Sequence, residues 1–587
     1  MANEPSERGW YLLRASSVGD KLTVTLESAK RKRERVFNAN LLPGRRLRTY
    51  LWLDDCKVQL DPESTLTSVD KVSWLSVHSR AVYRIFKYTD FGLVKKIHWS
   101  LASLLTKGIR LERLLDIAKT RKHLFANLDN LEGIEAVDAP EVVTLDTRLS
   151  HSELLAALSN LAKGTWIVFT FAPLKVHPKA KVLLARKHAQ HPLVEFAFSH
   201  HFNSTGRCFI KPTYQLASYL IFDFIQPALF IQASTAKKLV EQHTVLSARA
   251  IKSYLIDNNI QPLRIDEILV ESDYSEQLAI QNETSDSIEA SLADTYGGAI
   301  TAHPEPLISI IIPTYNGYEL LKSCVDGLIN KTTYPSIEII VVDNNSDEEV
   351  TLKYLLELEA SGITVLRYPH PFNYSAINNY AVKHASGELL CFLNNDIEVI
   401  STDWLESMSQ WALRENVGAV GAQLLYPNGT IQHAGLIVGM GGAAGHLHRF
   451  SENKIASGFV GSMLSPSITS EVTAVTAACL LVKRSLFDAV SGFDEDNLAI
   501  AYNDVDFCLE LYKRGYKNIY CSKATLYHHE SVSRGDDLAE DKIQRYMKEL
   551  KHFQLKWQTK RFNDPLFSQH LHLHLESQPV LNTNRRF

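Results

Sequence analysis

Four apolar runs decide what the middle of this chain can become: ISIIIP (308–313), IEIIVVDNN (337–345), TVLRYP (364–369) and ELLCFLNND (388–396). They read as continuously apolar strands rather than alternating ones. Helical patterns, YELLKSCVDGLIN and VTLKYLLELEA, separate the first three. Strands buried on both faces and joined by helices make an α/β fold, a mainly parallel sheet flanked by helices. Ligands of such sheets sit at the carboxyl ends of the strands. Here those ends read Pro313-Thr314-Tyr315-Asn316, Asp343-Asn344-Asn345 and Asn394-Asn395-Asp396. One such cluster alone is as easily a helix N-cap; three on one edge point to a binding site. No G-x-G-x-x-G follows the first strand, which disfavours a dinucleotide site. The glycine-rich GMGGAAG (439–445) lies elsewhere and reads as a mobile loop.

Part of the pattern occurs twice. AKGTWIVFTFAPLKV (162–176) sets under ASGELLCFLNNDIEV (385–399), with Ala162 on Ala385, Gly164 on Gly387, Phe169 on Phe392 and Val176 on Val399. Upstream, SHSELLAALSNL parallels NYSAINNYAV. Yet Asn394-Asn395-Asp396 faces Phe171-Ala172-Pro173, so no metal ligand survives in the earlier copy. Further along that copy, FSHHFNSTGRCFIKP lacks paired carboxylates, and His200-His201, with no acidic partner nearby, reads as core or surface histidines.

Around these features the chain divides into five stretches. Period-2 segments such as KLTVTLES, TYLWLDD and AVYRIFKY make residues 1–95 a β-rich module. Its basic run KRKRER (30–35) reads as a solvated hairpin or loop rather than a lipid contact. An α/β module follows over 96–270, opening on a helical pattern after His98, and a polar, acidic linker over 271–305. The main α/β domain spans 306–535 and a helical extension 536–587. In that extension, IQRYMKELKHFQLKWQTKRF puts Ile543, Met547, Leu550, Phe553 and Trp557 on one face among lysines and arginines. Such a helix either closes the domain's own core or rests peripherally on a membrane surface.

Charge and cysteine usage remove other classes. A net charge of −4 gives no case for nucleic acid. Seven cysteines scattered singly, with no C-x-x-C, argue against a disulfide framework or structural zinc and fit a reducing compartment. The amino-terminus is polar, and the most membrane-like stretch, YLIFDFIQPALFI (219–231), is short and broken by Asp223, Gln226 and Pro227. A cytoplasmic chain is expected, peripheral at most on the inner face of the cytoplasmic membrane.

Residues 306–535 resemble a family 2 glycosyltransferase of the GT-A fold. More closely, they resemble the tandem-domain bacterial enzymes of O-antigen, lipopolysaccharide and other surface-polysaccharide synthesis. The resemblance runs in order through SIIIPTYNG, VVDNNS, FNYSAINNYA, FLNNDIEV, IQHAGLIVGMGGAAGHLHR, VTAACLLVKRSLFDAVSGFDE, NDVDFCLELYKRGY and YHHESVSRG. The earlier copy resembles the second half of a companion transferase domain stripped of its acids, a degenerate, non-catalytic GT-A-like module.

The resemblance implies an inverting, metal-dependent transfer from a UDP-, dTDP- or GDP-linked sugar to a glycan acceptor, lipid-linked, alongside other polysaccharide-assembly enzymes. It sets Asp396 at the family's D-x-D position as carboxylate for Mn²⁺ or Mg²⁺. The amide of Asn394 offers only a neutral oxygen or a hydrogen bond, so the metal would lean on the nucleotide's own phosphates, with help from Glu398. His528 of YHHES completes that metal site, with His529 as the alternative. The general base is Asp504, second of the pair Asn503-Asp504 opening a helix, while Asp506 supports or caps. Asp343 and Asn345 meet the base or ribose, and Pro313, Thr314, Tyr315 and Asn316 form the other wall. Asn373, Asn379, Asn394 and Asn395 line the pocket, whereas His446 and His448 read as loop residues.

Two other classes compete. A nucleotidyltransferase would carry a glycine-rich basic loop after the first strand, and PTYNGYELLK is not one. A non-catalytic glycan-binding or scaffold subunit of a polysaccharide assembly complex suits the earlier copy, but the acids retained in the later one argue against it for the whole chain.

Overall fold

The computed structural model describes six strands between residues 9 and 72, then residues 141–272, 292–298, 305–529, 543–559 and 564–571, apart from short internal breaks. The helical pattern after His98 and the pair Ala172-Pro173 lie outside the described residues. The six early strands form two three-stranded antiparallel sheets. The basic run falls on the strand Arg31–Asn38, hairpin-paired with Lys21–Ser28.

The next sheet has seven strands: β1 (Val142–Asp146), β2 (Trp166–Thr170), β3 (Leu174–Val176), β4 (Phe196–Phe202), β5 (Cys208–Phe209), β6 (Leu229–Gln232) and β7 (Leu263–Ser272). Helices α1 (His151–Ser159), α2 (Ala180–Gln190), α3 (Leu216–Ile221), α4 (Ala233–Gln242) and α5 (Ala248–Asp257) are interleaved. The strand order is β1-β2-β6-β4-β7-β3, with β5 on β4.

A ten-stranded sheet follows: β8 (Ile308–Thr314), β9 (Ile337–Asp343), β10 (Thr364–Arg367), β11 (Leu389–Leu393), β12 (Ile397–Val399), β13 (Val417–Leu425), β14 (Ile431–His433), β15 (Ser470–Val472), β16 (Cys479–Lys483) and β17 (Lys517–His528). Its helices are α6 (Tyr318–Lys331), α7 (Glu349–Ala360), α8 (Tyr374–Val382), α9 (Trp404–Ala412), α10 (Arg484–Ala489) and α11 (Asn503–Lys513). The order is β10-β9-β8-β11-β16-β13-β17-β12, with β14 on β13 and β15 on β17. From β8 onward this is the path of the smaller sheet, with β8 standing for β1, β11 for β2, β16 for β6, β13 for β4, β17 for β7 and β12 for β3.

The strands from β10 to β11 are parallel, as are β13 and β17, but β16 runs antiparallel to both its neighbours. The sheet is therefore mixed. Sequence could not separate the two directions, because β16 is buried at every position and its CLLVK run looks the same either way. Alternate residues along the strands feed two apolar layers. Ile308, Ile310, Leu389 and Leu393 pack on one face, and Ile311, Val342, Leu390 and Phe392 on the other. Phe392 is enclosed by Phe487 and Phe493, with ring centroids 5.3 and 4.9 Å away.

Two loop readings change. GMGGAAG is a tight turn with positive φ at Gly439, Gly441 and Gly442, joining the antiparallel pair Leu436–Val438 and Ala444–His446 and burying Met440. The segment read as a linker ends in a fully buried tyrosine. The Tyr296 hydroxyl donates to Glu471 (2.8 Å) and accepts from the Ala217 amide (3.1 Å), tying the two sheets together. Beyond them, α12 (Ile543–Trp557) buries Phe553 in the core of the larger sheet, with Leu550 and Trp557 packed beside it. The helix therefore closes that core, while Ile543 and Met547 stay exposed.

Candidate active site

Three strand ends meet on one rim of the larger sheet, because β9, β8 and β11 are neighbours. At the end of β8, Thr314 pairs in register with Asp343 at the end of β9. The Asn395 side chain, leaving β11, donates to the Thr314 hydroxyl (3.0 Å). Asp343 is buried; its carboxylate accepts from the Ser346 amide (3.1 Å) and pairs with Arg367 (2.9 Å). Asn316, at φ 50°, accepts from the amides of Asp347 and Glu348 and so holds the two loops together. Tyr315 and Asn345 stay exposed on this rim, and Pro313 is half-buried. Arg367 is the addition here that sequence reading missed, since nothing in TVLRYP marks it as a carboxylate's partner.

After β11 the chain turns at Asn394 and Asn395 and re-enters as β12. β12 pairs antiparallel with β17, Ile397 opposite His528. This crossing brings the His528 Nε2 to 3.3 Å from Asp396 Oδ1, both side chains almost wholly buried. Asn394 Nδ2 lies 3.5 Å from the same imidazole nitrogen. Asp396 Oδ1 and His528 Nδ1 have no hydrogen-bond partner. An orphaned buried carboxylate oxygen beside an imidazole, with an amide adjacent, is a donor set that suits a divalent cation. The alternative histidine, His529, instead reaches Glu398 (3.2 Å), which also pairs with Lys331 (3.6 Å). Nearby, His433 is fully buried. Burial first, then the neighbouring His446 and His528, pushes its pKa well below the ordinary value, so the ring is neutral. His446 is on a strand rather than in a loop, its Nδ1 3.0 Å from that of His433, and His448 is buried.

Asp504 is the second residue of α11 and half-buried. Its oxygens accept from the amides of Ala477 (3.0 Å) and Val505 (2.8 Å). Burial raises its pKa, against the pull of those bonds and one from Thr476. The same turn, 476–478, gives the Ala478 carbonyl to the Asn394 amide (3.0 Å), so one short segment links the end of β11 to Asp504. VTAACLLVK contains that segment, but it acts through its backbone, which no residue-type pattern reports. The other asparagines face inward. Asn503 is buried on Ser375 and the Ile500 carbonyl. Asn373 caps α8 and reaches the Glu495 carbonyl, and Asn379 binds Phe493 at both ends of its amide. These two fasten the loop after Ser491 to α8. Asp506 receives Lys556 and the Trp557 indole N–H (2.6 Å), a support from α12.

A second cluster of metal-ligand residue types lies outside this rim. His200 of β4, Asp266 of β7 and His570 bring their ligand atoms within 4.8 Å of one another. The acidic partner missing from the sequence around His200 is thus supplied by Asp266, 2.8 Å away. The tautomer disfavours a cation. His200 Nδ1 accepts from the Lys211 amide (3.0 Å), so its Nε2 must carry the hydrogen given to Asp266. Burial lowers the His200 pKa to about 3, leaving a neutral ring. The cluster fastens residues 564–571 to the smaller sheet, with Ser568 also donating to Asp266 (2.9 Å).

The rim, its acid-tipped strand and the helix bearing Asp504 are the setting of a sugar-transfer domain. Residues 309–489 match the model of Glycosyl transferase family 2, and the chain belongs to that family through this GT-A domain. Protein y4gI of Sinorhizobium fredii is 44% identical over 270 residues, 46% of this chain and 29% of that protein. The O-antigen biosynthesis protein RfbC of Myxococcus xanthus is 40% identical over 264 residues, 45% of this chain and 20% of that one. The Escherichia coli UDP-Glc:alpha-D-GlcNAc-diphosphoundecaprenol beta-1,3-glucosyltransferase WfgD is 29% identical over 133 residues, 23% of this chain and 49% of WfgD. The chain thus spans less than a third of the length of the first two relatives. Among the described residues no helix is long and apolar enough to cross a membrane.

Proposed function

We propose that the chain transfers a sugar, with inversion, from a nucleotide-sugar donor to a lipid-linked glycan during bacterial surface-polysaccharide synthesis. The observation that carries this reading is the linkage of Asp396 and His528 to Asp504 through the 476–478 turn. The rim at Thr314, Tyr315, Asn316, Asp343 and Asn345 receives the nucleotide. Asp343, kept ionised by Arg367 and the Ser346 amide, presents acceptor oxygens to N–H groups of a base. Asp396 and His528, with the Asn394 amide, would hold Mn²⁺ or Mg²⁺, which supplies charge neutralisation for the departing diphosphate.

Asp504 takes the proton from the acceptor hydroxyl as that oxygen bonds to C1 and the C1–O bond to the diphosphate breaks. One displacement with no enzymic nucleophile inverts the anomeric centre. Its raised pKa makes Asp504 a stronger base than an exposed aspartate. RfbC and WfgD support the O-antigen setting and the lipid-diphosphate acceptor. The smaller sheet, lacking these acids, is read as a non-catalytic module, and the exposed side of α12 as a peripheral membrane contact.

The test is hydrolysis of UDP-glucose, GDP-mannose and dTDP-rhamnose with Mn²⁺ or Mg²⁺, comparing wild type with Asp504→Asn. Turnover of one donor by wild type and its loss in the variant supports the reading. No turnover of any donor, or equal turnover by both proteins, overturns it.

A further inference from the structure

Every polar bond and ring contact by which α12 grips α11 and its approach falls within a few residues of Asp504. Tyr502, immediately before α11, has a left-handed backbone, φ 63° and ψ 5°. A tyrosine keeps that conformation only where its surroundings enforce it. Here its ring stacks on Phe553 of α12, 4.9 Å between centroids and 12° from parallel. Its hydroxyl meets that of Tyr546 at 2.8 Å. One residue earlier, the Ala501 amide donates to the buried carboxylate of Glu549 (2.7 Å). One turn later, Asp506 donates its amide to the Tyr502 carbonyl (2.9 Å), and its carboxylate receives Lys556 (2.9 Å) and Trp557 (2.6 Å). Residues 501, 502 and 506 are thus held from α12 on both sides of Asp504, whose own bonds go to the 476–478 turn and to its helix.

We propose that α12 is a positioning clamp for the base: Glu549, Phe553, Lys556 and Trp557 enforce the left-handed turn at Tyr502 and thereby the aim of the Asp504 carboxylate. This rests on the reading of Asp504 as general base. Backbone angles at 502 set the direction in which the chain enters α11, and Asp504 follows two residues later. Relaxing that turn swings the first turn of α11 and parts Asp504 from the Ala477 amide. Misplacement of a catalytic group by ~1 Å lowers turnover by as much as ~10²-fold. A helix that merely completes the core would affect melting temperature instead.

The test uses the full chain and the donor-hydrolysis assay, with Mn²⁺ and UDP-glucose, GDP-mannose or dTDP-rhamnose as probe. Phe553→Leu keeps apolar volume and removes the stack; Trp557→Phe keeps bulk and removes the N–H. For variants that melt as wild type does, the clamp predicts a kcat about 10- to 10²-fold lower with donor KM little changed. Adding Tyr502→Asn to Phe553→Leu recovers most of the lost kcat, because asparagine adopts the left-handed conformation without enforcement. Unchanged kcat in the folded single variants, or a loss that Tyr502→Asn does not recover, overturns the clamp. Asp504→Asn separates the two readings. If it abolishes turnover while the clamp variants are unimpaired, only the clamp falls; if it retains turnover, the base reading falls and the clamp with it.

Discussion

The sheet over residues 142–272 and the sheet over 308–528 keep the same strands in the same order and part company where the strands end. β2 and β3 stand 223 positions before β11 and β12 at both ends of each strand, so the two segments superpose residue for residue. In that register Leu174 opposes Ser272, as Ile397 opposes His528. The metal-site imidazole therefore has a serine as its counterpart. The second residue of α5 is Arg249, where α11 has Asp504. Asp396 corresponds to Pro173. The smaller sheet also has no counterpart of β9 and β10, the strands that supply Asp343 and Arg367. An apolar path suffices to build the sheet, and chemistry is a separate demand made only at strand ends and the first turn of one helix. This is why one copy keeps the fold without the acids.

The comparison is broken or sharpened by substitutions made in pairs. The largest effect is expected at the base. Asp504→Asn should lower turnover about 10²- to 10⁴-fold, while Arg249→Asp in the smaller sheet leaves it unchanged; steady-state hydrolysis measures both. The shared apolar demand should show as similar losses in the two copies. Phe169→Ala and Phe392→Ala remove buried rings from matching strands and should each cost about 3–5 kcal/mol by denaturant unfolding. A much smaller loss at Phe169 would mean that the first copy is loosely packed. His528→Ser writes the smaller sheet's residue into the larger one. It should raise the Mn²⁺ concentration for half-maximal turnover by at least about 10-fold, an effect seen in a metal titration and absent if the imidazole is structural.

The smallest effect is in pH. Burial raises the Asp504 pKa, so the ionised base is lost, as pH falls, earlier than for an exposed aspartate at ~3.9. The acid limb of the kcat profile should sit above that value, with full activity on the alkaline side of it. A limb at or below ~3.9 would assign the base elsewhere.

Much of this was legible in the residues, and the limits have physical causes. The apolar run at 308–313 became Ile308–Thr314, and that at 364–369 became Thr364–Arg367, because continuous burial leaves a clear mark. The matched glycines were legible as a pair but not in purpose. A Cβ at Gly387 would stand 2.6 Å from the Ser309 backbone nitrogen, whereas Gly164 has open space and a φ of 88°. Asp396 and Asp504 stood out by residue type and position. Their connection did not, since it passes through the backbone of Ala477 and Ala478. Nor did the role of α12: its apolar face predicts burial, but nothing in IQRYMKELKHFQLKW says that Phe553 is placed under Tyr502.

The central claim is that Asp396 makes the larger sheet a catalyst and that its counterpart position is inert. It is tested most directly by donor hydrolysis of wild type, Asp396→Ala and Pro173→Asp side by side. The account predicts a loss of about 10²-fold or more in kcat for Asp396→Ala and wild-type turnover for Pro173→Asp. Wild-type turnover by Asp396→Ala, or a changed rate in Pro173→Asp, would contradict it.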